Sequence, residues 1–404
     1  MTKISIPYLV VATLVGGLVQ AADWPSYQHD NRRSGMTSEQ LDAAALSLSW
    51  VFSAKARPQP AWRGKMERDS YAKKSFLADT YDYDKAFNLI AADGRVYFGS
   101  SSGNACVALD AASGAELWRV PVGGAVRVAP AYDNGRVYFG SDDGVAYCVN
   151  AVDGALQWKY RGGASDILIA SDHKFLSRQP CRTGVLVQDG SVYCGFGLLS
   201  WHGNIMSKLD AATGDEQNKT QLSGSGYSFE GLLLADSSQL YVTQGRYAPA
   251  VFSLSNVSLQ GKLPGCGGTY ATLSTSGAVF HGPGHRGVRA DHLQESTASS
   301  RAGVTTHRFM NRILVNGSDR FALVRDAIQA TGAQTWVQGL EKPVTLIMGG
   351  GTLYVGARKQ VVAIDSSTGT VLNIFPVEGD AYSLAVADGK LFASTTVGKI
   401  YCFK

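Results

Sequence analysis

Two arginines and a glutamate recur at one register of this chain. Arg127, Arg182 and Glu230 each stand 11 residues ahead of a tyrosine, namely Tyr138, Tyr193 and Tyr241. Those tyrosines occupy the same place in a repeating strand pattern, so the three charged side chains should share one level of the fold. Other copies of the pattern carry Ala86, Thr269, Pro343 and Ala381 there. Converging guanidiniums suit a carboxylate, sulfate or phosphate, which they can grip bidentately. The same residues could instead form a structural Arg–Glu network plugging the channel, and residue type alone leaves both readings open. His173, Arg178, Trp201 and His202 fall in loops around Arg182 and are candidates for the same mouth.

Other motif matches carry less. Gly99-Ser100-Ser101-Ser102-Gly103 satisfies G-x-S-x-G, but a nucleophile elbow needs a strand-to-helix turn. Here the match is a hairpin, repeated as Gly140-Ser141-Asp142-Asp143-Gly144. Gly282-Pro283-Gly284-His285-Arg286-Gly287 fits G-x-G-x-x-G without the βαβ unit that a dinucleotide site requires. His281, His285 and His292 lie close in sequence, yet a Gly/Pro-rich loop fixes no spacing between them. The six cysteines include no C-x-x-C pair, which excludes a zinc ribbon or a c-type haem site. Cys106, Cys148, Cys194 and Cys402 fall inside strands of different units, where buried free thiols are expected. No residue is assigned to catalysis or to a metal.

What positions these residues is a repeat. An apolar residue followed by an aromatic or Leu recurs as Val96-Tyr97, Val137-Tyr138, Val192-Tyr193, Leu240-Tyr241, Val279-Phe280, Ile313-Leu314, Leu353-Tyr354 and Leu391-Phe392. A β-rich unit with a period near forty is the mark of a propeller blade. Within the best copies, Asp93-Gly94 and Asn134-Gly135 are tight-turn signals that tolerate positive φ. A second turn, at Gly114, Gly154, Gly214, Gly332 or Gly369, leads into an outer strand. That strand carries Trp118, Trp158 or Trp336, whose face should pack on the neighbouring blade. The last unit lacks its outer strand, whereas Leu48–Phe52, with Trp50, is an orphan strand near the start. Joining the two would close the ring and remove exposed sheet edges.

The repeat D/N-G-x-V-Y-F-G…A-L-D-A-x-T-G-x-x-x-W resembles the pyrroloquinoline quinone (PQQ)-like repeat of quinoprotein propellers. Asp23-Trp24-Pro25-Ser26-Tyr27, followed by Asn31-Arg32-Arg33-Ser34-Gly35, is similar to the lead-in of exported members. The resemblance implies an all-β, eight-bladed propeller, and it admits two function classes. One is the PQQ-dependent dehydrogenases, which hold the quinone against a pair of adjacent cysteines beside calcium. The other is non-catalytic propellers such as the subunit of the outer-membrane protein assembly machinery. No two cysteines are adjacent here, and no calcium cluster of carboxylates can be assembled. The expectation is therefore a binding or scaffold protein without a cofactor, with a PQQ-dependent oxidoreductase as the alternative.

Residues 1–21 read as a signal peptide: Lys3, an apolar run, and Val19-Gln20-Ala21 as a small-residue cleavage site. Residues 22–404 are expected to form one propeller with a rim insertion at about 54–87. A net charge of +4 excludes a nucleic-acid binder by charge, and no other run is long enough to span a membrane. An exported monomer, periplasmic or extracellular after cleavage, that meets a protein or glycan on its rim is expected.

Overall fold

Asp-Gly and Asn-Gly turns set the hairpins from which the fold is built. Asp93-Gly94, Asn134-Gly135, Asp189-Gly190 and Asp388-Gly389 all take positive φ at both residues. Such turns match the twist of the strands they join. Each links the innermost strand of a sheet to the second strand, which carries the apolar–aromatic pair. The computed structural model describes residues 22–61, 84–164, 166–171, 174–224, 226–244, 247–264, 270–282, 292–296, 304–306, 312–315, 319–324, 326–332 and 335–404. The expected signal peptide, most of the insertion at 54–87, His173, His285 and Cys266 lie outside these residues.

The protein is an all-β propeller. Among the described residues, six sheets have four strands each in simple up-and-down order. The first comprises Leu89–Ala92, Arg95–Ser100, Ala105–Asp110 and Glu116–Pro121, and the second runs from Ala131–Asp133 to Leu156–Arg161. A seventh sheet has seven strands and includes both chain-terminal regions. Within it, Leu48–Ser53 pairs antiparallel with Lys399–Phe403. The orphan strand thus completes the sheet formed by the last residues. The pair Ile313-Leu314 departs from the expected register. It lies in the innermost strand Arg312–Val315, while Asp319–Val324 is the second strand and Phe321 takes the aromatic place. An Ile-Leu pair suits any fully buried strand, so residue type alone could not order the two.

Neighbouring sheets are locked by one repeated contact. In Glu116–Pro121 and Leu156–Arg161 the tryptophan is the one fully buried residue. Trp118 Nε1 donates to Ala151 O at 3.0 Å, and Trp158 Nε1 donates to Ala211 O at 3.1 Å. The second-strand tyrosines meet the same carbonyls: Tyr97 Oη reaches Ala151 O at 3.5 Å and Tyr138 Oη reaches Ala211 O at 3.2 Å. Trp336 repeats the bond to Ser366 O at 3.1 Å. Trp50, on the strand that completes the last sheet, donates to Ala111 O of the first sheet at 3.2 Å.

A glycine lies beneath each of these indoles. A Cβ on Gly114 would meet Trp50 at 2.6 Å, on Gly154 it would meet Trp118 at 3.0 Å, on Gly214 Trp158 at 2.6 Å, and on Gly369 Trp336 at 2.7 Å. The preceding acidic residue shapes the turn, as Asp210 Oδ1 accepts from the amides of Ala212 and Thr213 at 2.8 and 2.9 Å. Gly332 shares the positive φ, at +109°. Gly214→Ala should therefore cost about 2–4 kcal/mol, combining left-handed strain with overpacking. Gly190→Ala has a similar φ of +70° but open space around its Cβ, and should cost only about 1–2 kcal/mol. Denaturant unfolding of the two variants measures the difference; equal losses would contradict the lock.

Candidate functional site

Arg127, Arg182 and Glu230 do come together, immediately ahead of the innermost strands Ala131–Asp133, Val185–Gln188 and Leu234–Ala235. They are joined by two aspartates. Asp142 lies in the Ser141–Gly144 turn, and Asp84 precedes the first innermost strand. Arg127 Nε is 2.6 Å from Asp142 Oδ2, and its Nη1 is 2.8 Å from Asp84 Oδ2. Arg182 Nε is 2.8 Å from Asp142 Oδ1, its Nη2 reaches Asp142 Oδ2 at 3.1 Å, and its Nη1 lies 3.6 Å from Glu230 Oε1. The result is an unbroken line, Asp84–Arg127–Asp142–Arg182–Glu230, with every member buried.

The electrostatics divide the carboxylates. Burial pushes Asp142 up, but Arg182 and Arg127 outweigh it and hold the carboxyl below its usual range. Burial also pushes Asp84 up, and there Arg127 offsets it only in part, so that carboxyl is raised. Among the described residues, Asp84 Oδ1 has no hydrogen-bond partner. The end of the 54–61 segment covers the line: Gln59 O accepts from Arg127 Nη1 at 2.8 Å, and Ala61 N donates to Asp84 Oδ2 at 2.8 Å.

Trp201 and His202 do not join this line. They form a short 3-10 turn, Ser200–His202, in which Trp201 is 70% exposed and stands edge-on to His202. Burial and the nearby Arg178 push the His202 imidazole down. The turn is tied to the rim, because Gln179 Nε2 donates to His202 O at 3.2 Å. Beside it, a two-stranded hairpin, Leu168–Ser171 with Lys174–Ser177, rises outside the four-stranded sheets. Ile167, Leu168 and Phe175 on this hairpin are exposed. Sequence reasoning singled out none of these three exposed apolar side chains. A run such as Asp166-Ile167-Leu168-Ile169-Ala170 reads as core until the sheet it belongs to is known.

No transmembrane-length apolar helix and no group of three or more His, Cys, Asp or Glu placed to hold a metal ion occurs among the described residues. Cys106, Cys148, Cys181, Cys194 and Cys402 are buried free thiols, and burial pushes Cys148 and Cys402 up to about 12. Thiols so protonated are poor nucleophiles.

The two aspartates should respond oppositely to neutralisation. Asp142→Asn leaves two buried guanidiniums without their shared counter-charge and should cost about 3–5 kcal/mol at neutral pH. Asp84→Asn keeps an acceptor for Arg127 and removes a carboxyl whose ionisation burial already opposes, so its cost should stay below about 1 kcal/mol. The pH dependence follows the same signs. Stability from Asp142 is present above its unfolded pKa and is lost as pH falls through its lowered folded value. Ionisation of Asp84 works the other way and opposes folding as pH rises through its raised folded value. Urea unfolding of both variants across acid and neutral pH checks this.

A family model described as outer membrane protein assembly factor BamB matches residues 50–258. The serine/threonine-protein kinase AfsK of Streptomyces coelicolor is 41% identical over 134 residues, covering 33% of this chain and 14% of the kinase. The chain thus spans a small part of that relative. Among solved structures, the computationally designed Ika8 protein is similar with a TM-score of 0.59 at 12% identity, over 80% of this chain and 96% of that one. BamB from Moraxella catarrhalis aligns at 13% identity with a TM-score of 0.42, over 89% of this chain and 100% of its own.

Proposed function

Since this chain belongs to the family of the outer membrane protein assembly factor BamB, we propose that it is an exported, non-catalytic, eight-bladed propeller that binds a protein partner on its rim. The observation that carries this reading is the exposure of Ile167, Leu168 and Phe175 on the hairpin and of Trp201 on the turn bonded to Gln179. Aromatic and aliphatic side chains held on a rigid scaffold are the usual anchors of a protein interface. The family's name, an assembly factor of the outer membrane, points to a partner in the cell envelope.

The channel mouth supports the same choice. A quinone with several carboxylates would need free guanidiniums, whereas Arg127 and Arg182 are both engaged by Asp142 at hydrogen-bond distance. The residues at this mouth do not fit PQQ with calcium. A small anion would have to displace Asp142 from two charged partners, which buried pairing makes costly.

The test is capture. The exported protein is immobilised and offered envelope proteins, beside a Leu168→Ser/Phe175→Ser/Trp201→Ala variant. The wild type should retain a discrete protein that the variant loses at least about tenfold, as removal of interface anchors predicts. The melting temperatures should agree, since all three side chains are solvent-facing. Undiminished capture by the variant would refute the rim site.

A further inference from the structure

The segment 22–47 lies outside the repeat. It crosses the end of the channel opposite the charged line, against the far ends of the innermost strands. Trp24 and Ala91 exchange backbone bonds at 2.6 and 3.0 Å. Pro25 O accepts from Tyr132 N at 2.8 Å, Asn31 O from Ala235 N at 2.9 Å, Arg32 O from Leu273 N at 2.9 Å and Gly35 O from Met348 N at 2.8 Å. One strap therefore touches sheet after sheet before it becomes the completing strand Leu48–Ser53. Buried Arg33 pins its middle, donating to Leu233 O at 2.8 Å and to Tyr27 O at 3.0 Å.

The strap's first residue and the last sheet meet at Glu39. This carboxylate is 3% exposed. Its Oε1 accepts from Gly389 N, in the turn between Val371–Ala387 and Lys390–Thr395, at 2.5 Å, and its Oε2 accepts from Ala22 N at 2.9 Å. Among the described residues no cationic side chain forms an ion pair with Glu39. Tyr354 feels the charges of both Glu39 and Asp42. Lys390 follows Gly389 but its Nζ bonds Asp388 O at 2.8 Å. A buried carboxylate with two amides and no counter-ion is an expensive arrangement. Ala22 is the residue immediately after the Val19-Gln20-Ala21 cleavage signal.

We propose that hydrolysis of the Ala21–Ala22 bond creates the missing counter-ion, an α-ammonium on Ala22 that pairs with buried Glu39 and fastens the strap to the last sheet. The inference rests on reading residues 1–21 as a leader cut by a signal peptidase. Water supplies hydroxyl to the Ala21 carbonyl carbon, the C–N bond breaks, and Ala21 leaves as a carboxylate. The Ala22 nitrogen takes up water's other proton and the one released by the new carboxyl group, and becomes –NH₃⁺. In the uncut chain the same nitrogen is a neutral amide, which can donate one bond but brings no charge. Processing thus converts a hydrogen bond into a buried ion pair, and the strap is locked most firmly in the processed protein.

Mass spectrometry of the exported protein first reads its N-terminus, which should be Ala22; a start at another residue overturns the proposal. The rate of amine labelling at that terminus is then followed against pH. The α-amine should titrate at least about one unit above its ordinary value of roughly 7.7–8.0, a tenfold tighter hold on its proton. In Glu39→Gln it should return to that ordinary range. A Glu39 that merely braced Gly389 would leave the amine unmoved, and equal values in both proteins would overturn the pairing. Should Glu39→Gln fail to fold, the wild type in buffer and in urea makes the same comparison, with no difference again refuting it. Because the folded value is raised, this stability is present below the unfolded value and is lost as pH rises through the folded one.

Discussion

The contact between one sheet's outer indole and the glycine turn of the next is the interaction on which the rest of this structure depends. Each sheet is apolar on both faces and cannot be covered by its own hairpins, so its stability lies in its neighbours. The indole supplies area, its N–H satisfies a carbonyl that the turn would otherwise leave open, and the glycine lets the ring approach. The second-strand tyrosine donates to the same oxygen, so two aromatic residues far apart in the repeat meet at one atom. Where the outer strand has no tryptophan, as in Glu216–Leu222, Tyr193 Oη reaches the next sheet at Leu254 O and 2.9 Å, and Thr220 Oγ1 reaches it at Val257 O and 2.7 Å.

Two further features follow from stacking sheets around an axis. The innermost strands converge, and at one end they bring charged side chains close enough that only mutual pairing lets them be buried. At the other end their amides meet the strap, whose carbonyls receive them in turn. The two ends are thus treated differently, one filled with alternating charge and the other covered by backbone. The Leu168–Ser177 hairpin is a sheet of its own, tied to the neighbouring sheets where Lys174 Nζ donates to Asn104 Oδ1 at 2.9 Å and Ser177 N donates to Asp142 O at 2.6 Å.

The lock and the completing strand were legible in the sequence because packing constrains residue type at fixed spacing: Trp118, Gly154 and Trp50 could each be placed before any coordinates. The meeting of Arg127, Arg182 and Glu230 was legible for the same reason, since a shared register means a shared level. Their ion-pair partners were not. Asp142 stands where the first sheet has Ser101, and nothing in a Gly-Ser-Asp-Asp-Gly turn tells a solvated aspartate from a buried one. Trp201 and His202 follow a different logic, because a loop residue has no register to inherit. The strap was illegible as well: residues 22–47 have no period, and their course is dictated by the strand ends beneath them.

The central claim is that the channel mouth is closed by its own ion pairs and that the protein binds without chemistry. Calorimetric titration of the exported protein with PQQ, with and without calcium, tests it most directly, alongside Arg127→Ala/Arg182→Ala. The account predicts no heat of binding in either protein. Tight binding by the wild type that the double variant abolishes would contradict it and make the mouth a cofactor site.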